Sequence, residues 1–184
     1  AYLFLFINPI VSFLSFLTDL IYIFIYTPLK KISSINTLIG AIPGAIPPIG
    51  GWFAANPDIT NVTLALFGIL FCWQIPHFLS LAYMYADDYK NGGFIMLPSI
   101  YSSQIPTRIH MIFFTISLVS ITFYLYLAKI VGNLFFVGNL FLSIYLIYYV
   151  MKFSLNISQE NAKKLFFVSI IYLPVLLVLV LTNS

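Results

Sequence analysis

Six long apolar runs constrain this chain more than any other feature of its sequence. Each is close to the roughly 20 residues that an α-helix needs to cross a bilayer. The sequence also lacks the alternating segments of about ten residues that mark a membrane β-barrel. It therefore predicts an all-α fold, a polytopic transmembrane helical bundle. The runs lie near residues 9–28, 36–54, 62–85, 109–128, 134–151 and 165–182.

The composition agrees with a membrane protein and excludes other classes. Hydrophobic residues make up 61% of the chain and charged residues 7%, whereas soluble proteins carry roughly a quarter charged residues. The single cysteine, Cys72, lies inside an apolar run, which excludes a disulfide framework and a cysteine-based metal finger. The net charge of +3 is small and scattered, which argues against nucleic acid as a partner.

The chain starts within an apolar segment, AYLFLFINP, that lacks the basic n-region of a signal peptide. We interpret residues 1–7 as the end of an earlier span. On this interpretation, residues 1–184 form a single integral-membrane domain whose N-terminal part is missing, the C-terminal fragment of a longer protein.

The basic residues predict an orientation in the membrane. Lysine and arginine accumulate on the cytoplasmic side, and seven of the eight fall on loops at one membrane face, here called the inner face. Lys129 alone lies at the other face. The loop 86–108, at about 23 residues, is the longest on the inner face, and long ordered loops are more often functional than connective. The seven are Lys30, Lys31, Lys90, Arg108, Lys152, Lys163 and Lys164.

The second apolar run, NTLIGAIPGAIPPIGGWFA, contains four glycines and three prolines. Gly40 and Gly44 form a small-xxx-small pattern that lets helices approach closely, and the prolines remove helix hydrogen bonds. Two interpretations stay open at this point. One is a kinked, tightly packed core helix, and the other is a broken helix that lines a cavity, as in many membrane substrate sites; the two are compatible.

The stretch 72–98 places His77 and the adjacent acids Asp87 and Asp88 close together in sequence. On one helix that continues to Asp88, His77 and Asp88 would share a face within about 20° and lie about 16 Å apart. That separation is too long for one metal ion. The spacing therefore predicts two separate binding positions in one long cavity. One is a carboxylate pair at the inner mouth, and the other is a histidine within the membrane.

The carboxylate pair suits Mg²⁺, which takes one or two carboxylates, keeps several waters and shares a substrate phosphate. Asp87 and Asp88, with Lys90 beside them and Lys30 and Lys31 at the same face, can hold a metal-bound diphosphate. The alternative for the acids is a solvated helix end, and the alternative for the lysines is the ordinary charge bias of the inner face.

Three other polar positions lie within or beside the spans. Ionisable residues inside a span are functional candidates by default, and His77 forms a polar cluster with Trp73 and Gln74. A neutral histidine that is hydrogen-bonded to another helix is the alternative. Asp19 meets the same criterion, but the sequence shows no partner and its role stays open. His110 starts a span and is interpreted as interfacial.

Three sequence blocks resemble the haem O synthases (protohaem IX farnesyltransferases), a family in the UbiA superfamily of membrane prenyltransferases. The resemblance runs from about Tyr26 to the C-terminus. The first two blocks are highly specific, because other superfamily members share the fold without combining GAxPGAxPPxxGW with WQxPHF…DYxxGGxxMLP. The blocks are IYTPLKKISSINTLIGAIPGAIPPIGGW (25–52), FCWQIPHFLSLAYMYADDYKNGGFIMLP (71–98) and AKKLFFVSIIYLPVLL (162–177).

The resemblance implies a nine-helix bundle, with about six full spans present here, in which two acidic motifs on cytoplasmic loops bind a prenyl diphosphate through Mg²⁺. The second motif matches Asp87, Asp88, Tyr89 and Lys90, and these are the implied catalytic residues, with Asp87 and Asp88 as metal ligands. The first motif has no counterpart and would lie upstream of residue 1. We therefore expect these residues alone to be inactive.

The implied reaction transfers farnesyl from farnesyl diphosphate to the vinyl group of haem B, giving haem O for haem–copper oxidases. His77 would orient the porphyrin or bind its iron, with Trp73 and Gln74 beside it and Lys30 and Lys31 on the diphosphate. The implied partners are the two substrates, the lipid bilayer and a haem A synthase. The implied location is a bacterial inner (plasma) membrane with cytoplasmic site loops, or else the mitochondrial inner membrane.

Two alternatives come from other functions. A UbiA-type enzyme can act on another aromatic acceptor, such as a quinone precursor. A transporter or channel-like bundle is the second alternative, since it also accommodates a broken helix and the intramembrane Asp19. That class predicts paired broken helices in two halves, and one such segment occurs here.

Overall fold

The computed structural model of the chain describes residues 2–56, 58–100 and 103–183. Residue 1 of the predicted first segment and residues 101 and 102 of the predicted loop 86–108 lie outside the described residues, as do residues 57 and 184. Within the described residues every regular element is a helix, which confirms the all-α prediction.

Ten α-helices and one π-helical segment make up the described part of the chain. Six spans are long and apolar enough to cross a membrane, so the six predicted spans are confirmed and the chain is a multi-pass membrane protein. The first span runs through α2, the π-helical segment and α3. The elements are α1 Tyr2–Phe6, α2 Pro9–Leu20, the π-helical segment Ile21–Tyr26, α3 Thr27–Leu29, α4 Asn36–Ala55, α5 Asn61–Met84, α6 Ala86–Asn91, α7 Leu97–Ile100, α8 Ile105–Leu127, α9 Asn133–Leu155 and α10 Gln159–Asn183.

Two spans begin earlier than their apolar runs predict. Helix α8 starts at Ile105 rather than near residue 109, with Pro106 in its first turn, where a proline costs no hydrogen bond. Helix α10 starts at Gln159 rather than near residue 165. Its first turns are polar, and the Lys164 ammonium pairs with the Glu160 carboxylate one helical turn earlier.

Helix α5 is the centre of the bundle. It packs against α4, α8 and α10, while α9 packs against α8 and α10, and α2 packs against α4. Ile75, Leu79 and Met111 lie fully within the core between α5 and α8, and Leu165 and Phe153 extend the core into α10 and α9. This arrangement leaves α2 the least covered span, with few of its side chains inside the protein.

The proline-rich segment forms one continuous helix, α4, so the broken-helix interpretation is wrong. Neighbouring helices hold it closely: a Cβ built on Gly40 would come within 2.5 Å of the Tyr26 ring, and one on Gly44 would overlap the Gln74 amide. The prediction of close helix approach at these glycines is confirmed. The outer half of α4 does line a cavity of about 430 Å³ with α2, and Gly50 is part of its wall.

Candidate active site

The acidic pair lies on its own short helix. Helix α5 ends at Met84, and Tyr85 leaves the helical conformation with φ −112° and ψ 30° before α6 starts at Ala86. The prediction of one helix continuing to Asp88 is therefore wrong. The shared face of His77 and Asp88, which depended on that continuous helix, no longer follows.

Asp87 and Asp88 occupy the first turn of α6, and Lys90 lies in its last turn. Both carboxylates are exposed, and within the described residues neither has a hydrogen bond or an ion pair. A helix start favours negative charge. The two acids are thus available to a cation from outside the chain, which is the state that a metal–diphosphate site requires.

The segment that follows α6 is bound to the start of α4. The backbone N–H of Ile95 donates to the Lys30 carbonyl over 2.7 Å. The buried Asn36 side chain donates to the Ile95 carbonyl over 2.7 Å and to the Ser33 carbonyl over 2.7 Å. These three bonds bring the turn Asp87–Lys90, here called the acidic turn, to the same face as Lys30, as the sequence predicts.

A small cavity lies beneath the acidic turn. Its volume is about 100 Å³, and Tyr26, Tyr89 and Thr37 supply its polar wall. The Lys30 ammonium lies 4.3 Å from the centroid of the Tyr26 ring, a cation–π distance. Lys31 is exposed and the structure places no described partner against its side chain. Tyr26 was not among the predicted site residues, because a tyrosine in an apolar run carries no distinguishing sequence signal.

The imidazole of His77 is held on three sides. The Trp73 ring stacks on it with centroids 4.7 Å apart, and the Phe166 ring stacks with centroids 4.8 Å apart. Its Nδ1 lies 2.8 Å from the Ser169 hydroxyl, and the Trp73 indole N–H donates to the Ser169 carbonyl over 2.7 Å. We call Trp73, Phe166 and Ser169 the imidazole clamp. The sequence predicted Trp73 and His77 and missed the two α10 residues.

Gln74 faces away from this group. Its side chain is buried, and its amide donates to the Ala41 carbonyl over 3.3 Å and to the Leu70 carbonyl over 3.1 Å. The polar cluster predicted from Trp73, Gln74 and His77 is thus divided between two sides of α5. Gln74 joins α5 to α4, whereas Trp73 and His77 join α5 to α10.

The other two polar positions have separate surroundings. Asp19 is exposed on α2, lines the cavity between α2 and α4, and has no described partner. His110 lies in the first turns of α8, where its Nδ1 is 2.8 Å from the Pro106 carbonyl and therefore donates to it. It lines a cavity of about 290 Å³ near the start of α4.

The donor set at the acidic turn fits a hard cation with an incomplete protein shell. The described residues contain no group of three or more histidine, cysteine or acidic side chains that could enclose a metal. Two unpaired carboxylates at a wet face are nevertheless what Mg²⁺ takes from a protein when phosphate and water complete its shell. The residues present therefore fit Mg²⁺ shared with a phosphate.

Comparison with known proteins gives one consistent result. The model of the UbiA prenyltransferase family matches residues 1–171. The chain is 38% identical over 183 residues to a protoheme IX farnesyltransferase of Koribacter versatilis, covering 96% of this chain and 59% of the relative. It is 34% identical over 176 residues to a mitochondrial protoheme IX farnesyltransferase of Homo sapiens, covering 96% of this chain and 39% of that relative. No solved structure matches significantly.

Proposed function

The chain belongs to the UbiA prenyltransferase family, and from that membership we propose that its protein transfers farnesyl from farnesyl diphosphate to a vinyl group of protohaem IX (haem B), giving haem O. The relatives that carry the name protoheme IX farnesyltransferase include bacterial proteins and mitochondrial ones. The chain spans about three fifths or less of the length of these relatives. The activity is therefore proposed for the intact gene product.

One observation carries the proposal most directly. The backbone bond between Ile95 and Lys30, with the Asn36 side chain bonded to both neighbouring segments, holds the acidic turn and a lysine at one membrane face. A diphosphate needs both kinds of group, a metal held by carboxylates and a basic side chain against its oxygens.

The prenyl donor would lie with its diphosphate at the acidic turn and its chain in the membrane. UbiA prenyltransferases generally depend on a divalent metal, and we propose Mg²⁺ held by Asp87 and Asp88. When bound, this ion neutralises charge that builds up on the leaving diphosphate. Lys30 and Lys90 would add positive charge beside the diphosphate oxygens, with Lys31 close in sequence, and Tyr89 would close the cavity beneath them.

The proposed reaction proceeds through an allylic cation. The site would exclude water until the C–C bond has formed. The C–O bond of farnesyl diphosphate breaks, and its electron pair leaves with the diphosphate. The vinyl group of haem B then forms a C–C bond to the allylic carbon, and water captures the resulting cation next to the porphyrin and loses a proton. Aromatic rings stabilise such cations, by about 2 kcal/mol or more when water is absent. His77, in its clamp with Trp73, would orient the porphyrin or bind its iron, while Gln74 would fix the helix that carries them.

The product decides between this function and a different acceptor. The intact gene product is expressed in a host that makes no haem O, and the extracted haems are separated by chromatography. We expect haem O to appear. Extracts that contain only haem B would reject the proposal and favour another prenyl acceptor.

Asp88→Asn tests the metal role within the same assay. The substitution removes one carboxylate without changing the shape of the side chain, and we expect haem O formation to fall at least about 100-fold, as for loss of a charged group that acts in the transition state. Asp58→Asn, an exposed acid on the opposite face, is the control and should retain activity. Unchanged turnover and unchanged Mg²⁺ dependence in Asp88→Asn would contradict the role.

We further propose a bacterial inner (plasma) membrane location with the acidic turn in the cytoplasm, and the mitochondrial inner membrane as the alternative. A haem A synthase is the proposed recipient of the product. The 184 residues carry one acidic pair of this kind, whereas the resemblance implies two acidic motifs. We therefore expect these residues in isolation to be inactive.

A further inference from the structure

The imidazole of His77 is in contact with side chains of both α5 and α10. Aromatic rings from two different helices cover its two faces, at 4.7 Å on the Trp73 side and 4.8 Å on the Phe166 side. One edge meets Ser169, which is completely buried. The other edge, which carries Nε2, has no hydrogen-bond partner among the described residues, although the ring is only partly buried.

The hydrogen bonds of Ser169 decide which nitrogen carries the proton. The Ser169 hydroxyl has one proton, and its shortest contact is the bond that it donates to the Phe166 carbonyl over 2.6 Å. Its oxygen must then accept at 2.8 Å from His77, so the proton of the neutral imidazole lies on Nδ1. The lone pair of His77 consequently lies on Nε2, which has no hydrogen-bond partner among the described residues.

We propose that Ser169 is a positioning residue that fixes His77 as the Nδ1–H tautomer and presents the Nε2 lone pair to the iron of a porphyrin substrate. This inference rests on the proposed function for the identity of the iron compound. Histidines that bind metals almost always donate their second N–H to an oxygen, which sets the tautomer and the ring orientation. Ser169 supplies that oxygen from α10, and the clamp rings prevent rotation of the imidazole.

If Ser169 served only to join α5 to α10, its side-chain hydroxyl would not be needed. The indole N–H of Trp73 already joins the two helices through the Ser169 backbone carbonyl, and that bond does not need the hydroxyl. The hydroxyl therefore acts on the imidazole. Ser80 offers a matched comparison, because it is equally buried and donates to the His77 backbone carbonyl over 2.7 Å without reaching the ring.

The experiment measures iron coordination without turnover. The intact gene product is purified in nanodiscs and titrated with ferric protohaem alone, in the absence of prenyl diphosphate, and optical and electron paramagnetic resonance spectra report the axial nitrogen ligand. We expect Ser169→Ala to weaken protohaem binding about 10- to 100-fold, the usual effect of removing such an outer partner. Ser169→Thr keeps the hydroxyl and should restore the spectrum, and Ser80→Ala should bind as the native protein does.

The outcomes separate this inference from the proposed function. A native spectrum and affinity in His77→Ala or in Ser169→Ala would overturn the inference even if haem O is made. If the native protein makes no haem O but the variant spectra are as expected, the proposed function would be overturned. The inferred coordination of iron by His77 would stand. If Ser169→Ala does not fold, His77→Gly gives a second measure. Free imidazole should restore its iron spectrum, and no restoration would count against the inference.

Discussion

At the residue scale, Gly44 and Gln74 define the contact between α4 and α5. The buried Gln74 amide donates to two carbonyls, one on each helix, and it reaches α4 only because position 44 has no side chain. A Cβ on Gly44 would overlap the Gln74 amide oxygen, whereas a Cβ on Gly50 would meet open space. The absence of a side chain is therefore required for helix packing at Gly44 but not at Gly50.

Gly44→Ala should destabilise the protein and Gly50→Ala should not. Overpacking a close helix contact costs about 1–3 kcal/mol, so we expect the free energy of unfolding to fall by that amount in Gly44→Ala. The control lacks the overlap and should keep its stability or gain up to about 1 kcal/mol, since alanine suits a helix better than glycine. Unfolding in mixed micelles measures both. Equal stabilities for the two variants would show that the contact is not as close as described.

Lys30 lies outside the acidic turn, and its backbone is bonded to the segment that follows this turn. Its carbonyl accepts from Ile95, and its ammonium lies 4.3 Å from the Tyr26 ring centroid, so its side chain is preoriented. We expect Lys30→Met to raise the KM for the prenyl diphosphate about 10- to 100-fold, because a hydrogen bond to a charged group contributes about 1.5–3 kcal/mol. Initial rates at several donor concentrations measure the change.

Lys163→Met is the control for this prediction. Lys163 is exposed on the same inner face and has no described partner. It shares the charge of Lys30 but not its contact with the segment after the acidic turn. A similar KM increase in both variants would mean that the overall charge of the face, rather than Lys30 itself, attracts the diphosphate.

At the scale of elements, the segment between α6 and α7 depends on one side chain. Asn36 is fully buried and donates to Ser33 and Ile95, so it joins the turn before α4 to the segment after α6. Gly93 in this segment has φ +72°, which glycine adopts without strain. Gly93 therefore allows the backbone conformation of this segment, and the Asn36 hydrogen bonds hold the segment against the turn before α4.

Asn36→Ala should release this segment. Without the amide, the Ile95 carbonyl loses its partner, and we expect faster hydrogen exchange at Gly92–Leu97 together with lower haem O formation. Asn161→Ala is the matched control, because Asn161 is also buried and donates to the Asn156 carbonyl over 2.7 Å in another inner-face connection. It should accelerate exchange only near residues 156–158 and leave turnover unchanged. Mass spectrometry of exchanged peptides measures both.

Sequence reasoning located the helices better than their ends. Hydropathy identifies the apolar middle of α8 and α10 but excludes turns that carry Arg108 or Lys164, although those turns are helical. The end of α5 was missed for a different reason. Nothing in Tyr85 distinguishes it from the other tyrosines of this chain, so the break that separates α5 from α6 depends on tertiary packing rather than on local preference.

At the scale of the whole molecule, the candidate site contains two groups of residues. The sequence predicts one group, whereas the other is found only from the packing of the helices. The acidic turn and Lys30 were predicted from charge and from their shared membrane face. Ser169 lies 92 residues from His77, in a span with no polar pattern that marks it. Its role emerges only because α10 packs beside α5, two helices that are not adjacent in the chain.

The orientation in the membrane can be measured with single cysteines. Cys72 is the only cysteine of these 184 residues and is buried, so this part of the protein should contribute little background labelling. Because the lysine-rich face is predicted to be cytoplasmic, Ser103→Cys should resist a membrane-impermeant maleimide in intact cells and react after permeabilisation. Asp58→Cys, in the connection at the opposite face, should react in intact cells. The reverse pattern would invert the proposed topology.

The π-helical segment Ile21–Tyr26 gives the first span an unusual tolerance. A π-helix closes its hydrogen bonds five residues back, here from the Thr27 N–H to the Tyr22 carbonyl, and so holds one more residue than an α-helix of the same turn would. Deleting one residue from this segment would leave an intact α-helix in the bilayer. Because the six residues of the π-helical segment turn the chain about as far as five α-helical residues do, Lys30 would keep its direction toward Ile95, whereas the same deletion within α2 would turn it by about 100°. The π-helical segment is thus the place where the first span can lose one residue while the proposed diphosphate site keeps its orientation.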